Sequence, residues 1–282
     1  MGCNLRFGAR LWLCLVALAV SSAAFGKING GFSAGDSNSL IYVRLTQTGS
    51  ELTGYIQTLQ ANDSEPGYRS RTQQVSGQVD GKDFVLNSVI QGTVQSQKLS
   101  IEFPSTSGQS SRVVLTPISL PSWNASVSKF EQKHYARVQV RNLQLGFSDY
   151  CKALDSDESN TSEMLHRIEV EKSGDEMDKE FMAKGKRTLA QIDSAKVLLN
   201  AQATQPAINR LSKGQIEIAS VANSAKLYYY PSKDALAQSV GSGWVCPSLR
   251  INSSWTMIFF SGRIYWLANS NIAKRVELVY SP

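Results

Sequence analysis

Histidine is nearly absent from this chain: 282 residues contain two. Proton transfer and nucleophile activation near neutral pH draw first on imidazole, so the scarcity narrows the catalytic inventory at once. His134 stands in Gln132-Lys133-His134-Tyr135 and His166 in Met164-Leu165-His166-Arg167, neither with a second histidine at metal-ligand spacing. The His-Glu-x-x-His and Cys-x-x-Cys patterns and a phosphate-cradling Gly-Lys-Ser/Thr loop are also missing. Glu169 and Glu171 alternate with Arg167 and Lys172 and read as a solvated helix face rather than a glycosidase carboxylate pair. The expectation is a protein that is not an enzyme and uses neither cofactor nor metal. Four cysteines are too few for a disulfide scaffold, and charged residues make up only 18%. Apolar residues, at 42%, are mostly scattered at amphipathic spacing, which predicts a packed core and excludes a disordered tail, a fibre or a multi-span membrane protein.

The one long apolar run, Leu11 to Val20, follows a basic start and leads into Ser21-Ser22-Ala23-Ala24-Phe25-Gly26. Those three parts make a secretory signal peptide over residues 1–26, with cleavage expected after Ala24 or Gly26. The run is too short to span a bilayer, so no transmembrane segment is expected after cleavage. The bulky residues of Leu11-Trp12-Leu13-Cys14 do not fit a lipoprotein signal. Removal of Arg6 and Arg10 lowers the formal charge from +6 to +4, too mild a balance to argue for nucleic acid. Cys3 and Cys14 leave as well. Cys151 and Cys246 then remain, either as one disulfide or as two buried thiols; a bridge over so long a loop would contribute about 4–5 kcal/mol. Asn62, Asn124, Asn160 and Asn252 each begin an Asn-x-Ser/Thr sequon, which a eukaryotic secretory pathway would glycosylate.

Three textures follow, which predict a multi-domain α+β chain. Residues 27–120 form an antiparallel β domain, a barrel or a sandwich. Its strand candidates are Leu40 to Leu45, Leu52 to Ile56, Gln73 to Val79, Phe84 to Ile90, Thr93 to Phe103 and Arg112 to Ile118, with turns at Thr48-Gly49-Ser50 and Asp80-Gly81. Residues 121–213 read as a helical connector. Ser173 and Glu176 suggest a capping box, Pro206 opens a short helix, and Leu154 to Ser162 reads as an exposed linker. Lys129, Lys133, Arg137 and Arg141 recur every four residues as a cationic helix stripe, although Val138-Gln139-Val140 and Leu143-Gln144-Leu145 alternate like strands. Residues 214–282 return to strands.

In that last stretch Pro231-Ser232, Trp255, Gly262, Trp266-Leu267 and Asn269-Ser270-Asn271-Ile272 follow one another at the spacing of a turn, a Trp-led strand, a Gly turn, a Trp-aliphatic strand and a closing segment. The segment resembles a bacterial Src-homology-3-type (SH3-like) domain. Tyr265 stands where a small residue is usual, and Tyr228-Tyr229 where Val-Arg is usual. The resemblance implies a small β-barrel. The wall peptidases that often accompany such domains place Cys between Asp and Ser-Gly, whereas this chain has Asp149-Tyr150-Cys151-Lys152. The N-terminal stretch, with Leu52-Thr53-Gly54-Tyr55, resembles small exported up-and-down barrels in texture, but has no tryptophan for a vitamin-binding aromatic box.

Tyr228, Tyr230, Trp244, Trp255 and Tyr265 are the candidates for lining a shallow groove, because exposed aromatics supply stiff contact area for peptide or glycan recognition. The sequence-level expectation is an exported binding or scaffolding protein of the periplasm, cell surface or medium, with cell-wall glycan or peptide, or an envelope protein, as partner. The alternative is carriage of a small apolar ligand inside the N-terminal barrel.

Overall fold

The computed structural model describes residues 27–104, 110–171, 175–222, 224–241 and 243–280. The expected signal segment, residues 1–26, lies outside them. Two compact units result: the barrel with the helix that follows it as far as Phe130, and the loop Asn62–Tyr68 with the chain from Glu131 onward.

The first unit is a closed barrel of eight antiparallel strands in sequence order: β1 (Gly30–Gly35), β2 (Ser39–Thr48), β3 (Glu51–Ala61), β4 (Tyr68–Asp80), β5 (Asp83–Leu86), β6 (Ile90–Gln95), β7 (Lys98–Phe103) and β8 (Ser111–Ile118). Strand β1 closes it by pairing with both β2 and β8; its glycines hid it from sequence reading. Two expected long strands are each split in two. Asn87 and Ser88, at φ 49° and 60°, separate β5 from β6, and Ser96 and Gln97, at φ 50° and 66°, separate β6 from β7. Left-handed backbone at non-glycine residues leaves little trace in composition. Asp80-Gly81 does turn the chain, with Gly81 at φ 60°. Alternate positions, among them Val43, Leu45, Leu52, Leu86, Leu99 and Leu115, fill the interior as one apolar cluster. On β2 the buried neighbour of Val43, Tyr42, stacks on Trp123 with centroids 4.9 Å apart, and Trp123 Nε1 donates to Gln57 Oε1 at 3.0 Å.

Among the described residues three helices follow: α1 (Leu120–Glu171), α2 (Glu176–Asn200) and α3 (Gln205–Ser212). Helix α1, at 52 residues, corrects two expectations. The supposed linker Leu154 to Ser162 is helical because Leu154 is buried in the core, while Asp155 and Glu158 bracket Lys196 of α2 at 2.5 and 2.6 Å. The strand-like alternation at 138–145 is helical too: Val138, Val140 and Leu143 are buried, and Leu145 is exposed. Asp175 caps α2, accepting from the Asp178 backbone N–H at 2.7 Å; Ser173, the expected cap, lies outside the described residues.

The last stretch forms a seven-stranded antiparallel sheet of β9 (Gln215–Val221), β10 (Ala225–Tyr228), β11 (Ala237–Val240), β12 (Val245–Arg250), β13 (Trp255–Phe260), β14 (Arg263–Ala268) and β15 (Ile272–Val279), in the order β11-β10-β14-β13-β12-β9-β15. Both faces contribute residues to a core. Leu249, Met257, Ile264 and Trp266 join a core with Leu143, Leu154, Ile192 and Leu199 of the helices. The alternate residues Cys246, Ile258, Tyr265 and Leu267 form a second core with Leu227 and Val240. Helix α1 comes close at Gly146, where a Cβ would lie 2.6 Å from the Phe259 ring.

This two-faced packing corrects the disulfide expectation. Cys151 of α1 packs into the helix-facing core and Cys246 of β12 into the other, so the sheet lies between two free thiols. Burial pushes the Cys246 thiol up to about 11 and raises that of Cys151. Neither is a thiolate of the kind that attacks substrates.

Candidate binding groove

The groove forms where α2 and the β10–β11 hairpin face each other without packing. On α2, Lys184, Arg187, Thr188 and Gln191 follow i, i+3, i+4, i+7 spacing and so share one face. Opposite them, Lys226 pairs with Ser239 and Tyr228 with Ala237 in register, which places all four on one face of the hairpin. The other face carries Ala225, Leu227 and Val240 into the core. Apolar side chains fill the space between helices and sheet elsewhere; here polar and cationic ones leave an open trough of about 740 Å³.

One end of the trough is held by tyrosine chemistry. The Tyr150 hydroxyl, on α1, donates to the Tyr229 carbonyl at 3.0 Å and accepts from Trp266 Nε1 at 2.8 Å. Tyr230 donates to Asp157 Oδ2 at 3.1 Å. Burial, then the Asp157 charge, pushes the Tyr230 phenol up to about 12, and burial raises that of Tyr150 further. Both hydroxyls therefore stay protonated as donors. The Tyr228 ring is braced edge-on by Trp255, centroids 5.6 Å apart at 85°.

The five aromatic candidates thus separate. Tyr228 and Tyr230 line the trough. Trp255, half-buried, supports Tyr228 from behind. Tyr265 is only 4% exposed and belongs to the core against Tyr229, because its position on β14 alternates with that of Trp266 and points away from the helices. Trp244 is 50% exposed and meets Phe260 edge-on, apart from the trough-lining residues. Tyr229 and the cations of α2 line the trough as well, although they are not among the five aromatic candidates. Lys184 and Arg187 flank the apolar stripe of Ile192, Ala195 and Leu199 at helical spacing, but nothing in the sequence couples that helix to a hairpin forty residues later.

Other features find plainer roles. Arg137 and Arg141 of the cationic stripe share Asp63 at 3.2 and 3.1 Å, and Arg137 also donates to the Asn62 carbonyl at 2.7 Å. His134 is buried and His166 exposed on the same helix. Thirty-two residues of helix hold them about 48 Å apart, so they do not converge on a cleft. The barrel interior holds an apolar cluster of its own side chains. No described helix is long and apolar enough to cross a membrane. No family model matches the chain, and neither a curated protein nor a solved structure does.

Proposed function

We propose that this chain is an exported, non-catalytic binding or scaffolding protein of the cell envelope, whose C-terminal sheet is an SH3-like module that recognises peptidoglycan through the trough beside Tyr228 and Tyr230. The observation that carries the reading is this preformed trough, with two tyrosines fixed by hydrogen bonding or ring packing at its wall. Rigid aromatic faces bind with little loss of side-chain freedom. The SH3-like part of the reading is supported by two features. The last strand pairs with the first, β15 with β9, in the order β11-β10-β14-β13-β12-β9-β15. The residues of the resemblance also fall at matching places: Trp255 opens β13, Ser261-Gly262 turns it into β14, Trp266-Leu267 lie in β14, and Asn269–Asn271 form a 3-10 turn before β15. Raised thiol pKa values and separated histidines favour binding over catalysis.

The test is co-sedimentation of the chain without residues 1–26 with purified cell-wall sacculi. The unaltered protein should pellet, and Tyr228→Ala/Tyr230→Ala should reduce the bound fraction by about tenfold, the effect of removing two anchor rings. Undiminished pelleting of that variant would mean that the trough does not hold the cell wall.

A further inference from the structure

The walls of the trough carry like charge. Lys184 and Arg187 stand on the helix side, Lys226 and Lys233 on the hairpin side, and Asp234 is the one carboxylate among the lining residues. All four cations are exposed, and none makes an ion pair among the described residues. The contrast on the same helix is Lys196, which Asp155 and Glu158 bracket. Arg275 likewise has Glu217. Cations gathered on two facing walls repel each other, and a concave site between low-dielectric walls concentrates their field, so an anion entering between them relieves the repulsion on both sides.

The geometry points to an acidic glycan, a chain of sugar rings bearing carboxylates, as the occupant of this trough. This deepens the proposed recognition of peptidoglycan and rests on it, since the glycan strand bears free lactyl carboxylates wherever its peptides are absent. The cations supply partners for the carboxylates, Arg187 with a fork that suits bidentate pairing. Tyr228 and Tyr230 supply flat faces for sugar rings, and Thr188, Gln191 and Ser239 supply uncharged donors and acceptors for hydroxyls. An acidic peptide would instead be expected to add to β11, which lies at the edge of the sheet. The lining between the walls offers that peptide few apolar pockets: Ala235 is buried, and Leu236 points into solvent at the rim.

Titration calorimetry on the chain without residues 1–26 tests this with three probes: an oligogalacturonate, a neutral cello-oligosaccharide of equal length, and poly-glutamate. The oligogalacturonate should bind, more weakly as salt rises. Arg187→Gln/Lys226→Gln should lose about tenfold or more in affinity, while Lys274→Gln, on exposed β15, should not change it. The cello-oligosaccharide should bind at least tenfold more weakly. Equal binding of the neutral sugar, an unaffected Arg187→Gln/Lys226→Gln variant, or binding of poly-glutamate as tight as that of the uronate would each overturn the assignment. If these fail while sacculi still pellet in a Tyr228-dependent way, the acidic-glycan inference falls and the proposed function stands. Both side chains are exposed, so the charge variants fold, and circular dichroism checks that they do.

Discussion

Arg275→Ala lowers the unfolding free energy of the C-terminal unit by about 3 kcal/mol, the order expected for breaking a largely buried ion pair. Arg275 Nη1 meets Glu217 Oε2 at 2.7 Å, with the two side chains 23% and 14% exposed. Its Nη2 donates to Thr256 Oγ1 at 2.8 Å and to Asn269 Oδ1 at 2.9 Å. Thr256 in turn donates to Asn269 Oδ1 at 2.6 Å, and Asn269 Nδ2 to the Asn252 carbonyl at 2.8 Å. One guanidinium therefore ties β15 to β9, β13 and the 3-10 turn before β15. Its removal leaves the Glu217 carboxylate mostly out of water and without its cation, and takes a partner from each of two further groups. Urea denaturation followed by tryptophan fluorescence reads the loss. A change below about 0.5 kcal/mol would class the pair with ordinary surface ion pairs such as Arg141 with Asp63.

Tyr150→Phe costs about 2–3 kcal/mol by another route. It removes one oxygen and orphans two groups: the indole N–H of Trp266, a fully buried residue, and the Tyr229 carbonyl. The ring remains, so little packing is lost and the cost reports the hydrogen bonds. The Tyr228-Tyr230 segment also loses a tether to α1, so sacculus binding should weaken with it. The phenols add a pH dependence of definite sign. Their folded values are raised, so the folded state keeps protons that the unfolded chain releases, and stability present at neutral pH is lost as pH rises. For Tyr230 the window runs from 10.0, the ordinary phenol value, to about 12, and for Cys246 from 9.0 to about 11. Thermal midpoints of the unaltered protein should therefore fall steadily above about pH 9, and less steeply in Tyr230→Phe. A flat profile up to pH 12 would mean that these groups are not buried as described.

The alternation of strands and the helical texture of the middle were legible in sequence because they rest on periodicity, which burial enforces directly. Thus Leu99 and Ile101 fill the barrel from alternate positions of β7, and Ile192, Ala195 and Leu199 face the core from one side of α2. What depends on single backbone angles was not legible. Ser96 and Gln97 turn a hairpin with no glycine or asparagine to announce it. The acidic, serine-rich run at 154–162 looks like a linker by composition, yet its helicity is decided by Leu154 beneath it and Lys196 beside it. For the groove, the tyrosine cluster was visible as aromatic density. Which tyrosines face solvent was not, because Tyr265 and Trp266 are adjacent and each joins a core on its own side of the sheet. The cationic wall of α2 is a product of tertiary packing alone.

The most direct measurement of the central claim is a heteronuclear NMR titration of the chain without residues 1–26 with soluble peptidoglycan fragments. Shifts should gather on Lys184, Arg187, Lys226, Tyr228 and Tyr230, with Trp244 and the barrel strands unmoved. Shifts confined to Trp244 and its neighbour Phe260, or to the barrel, would contradict it.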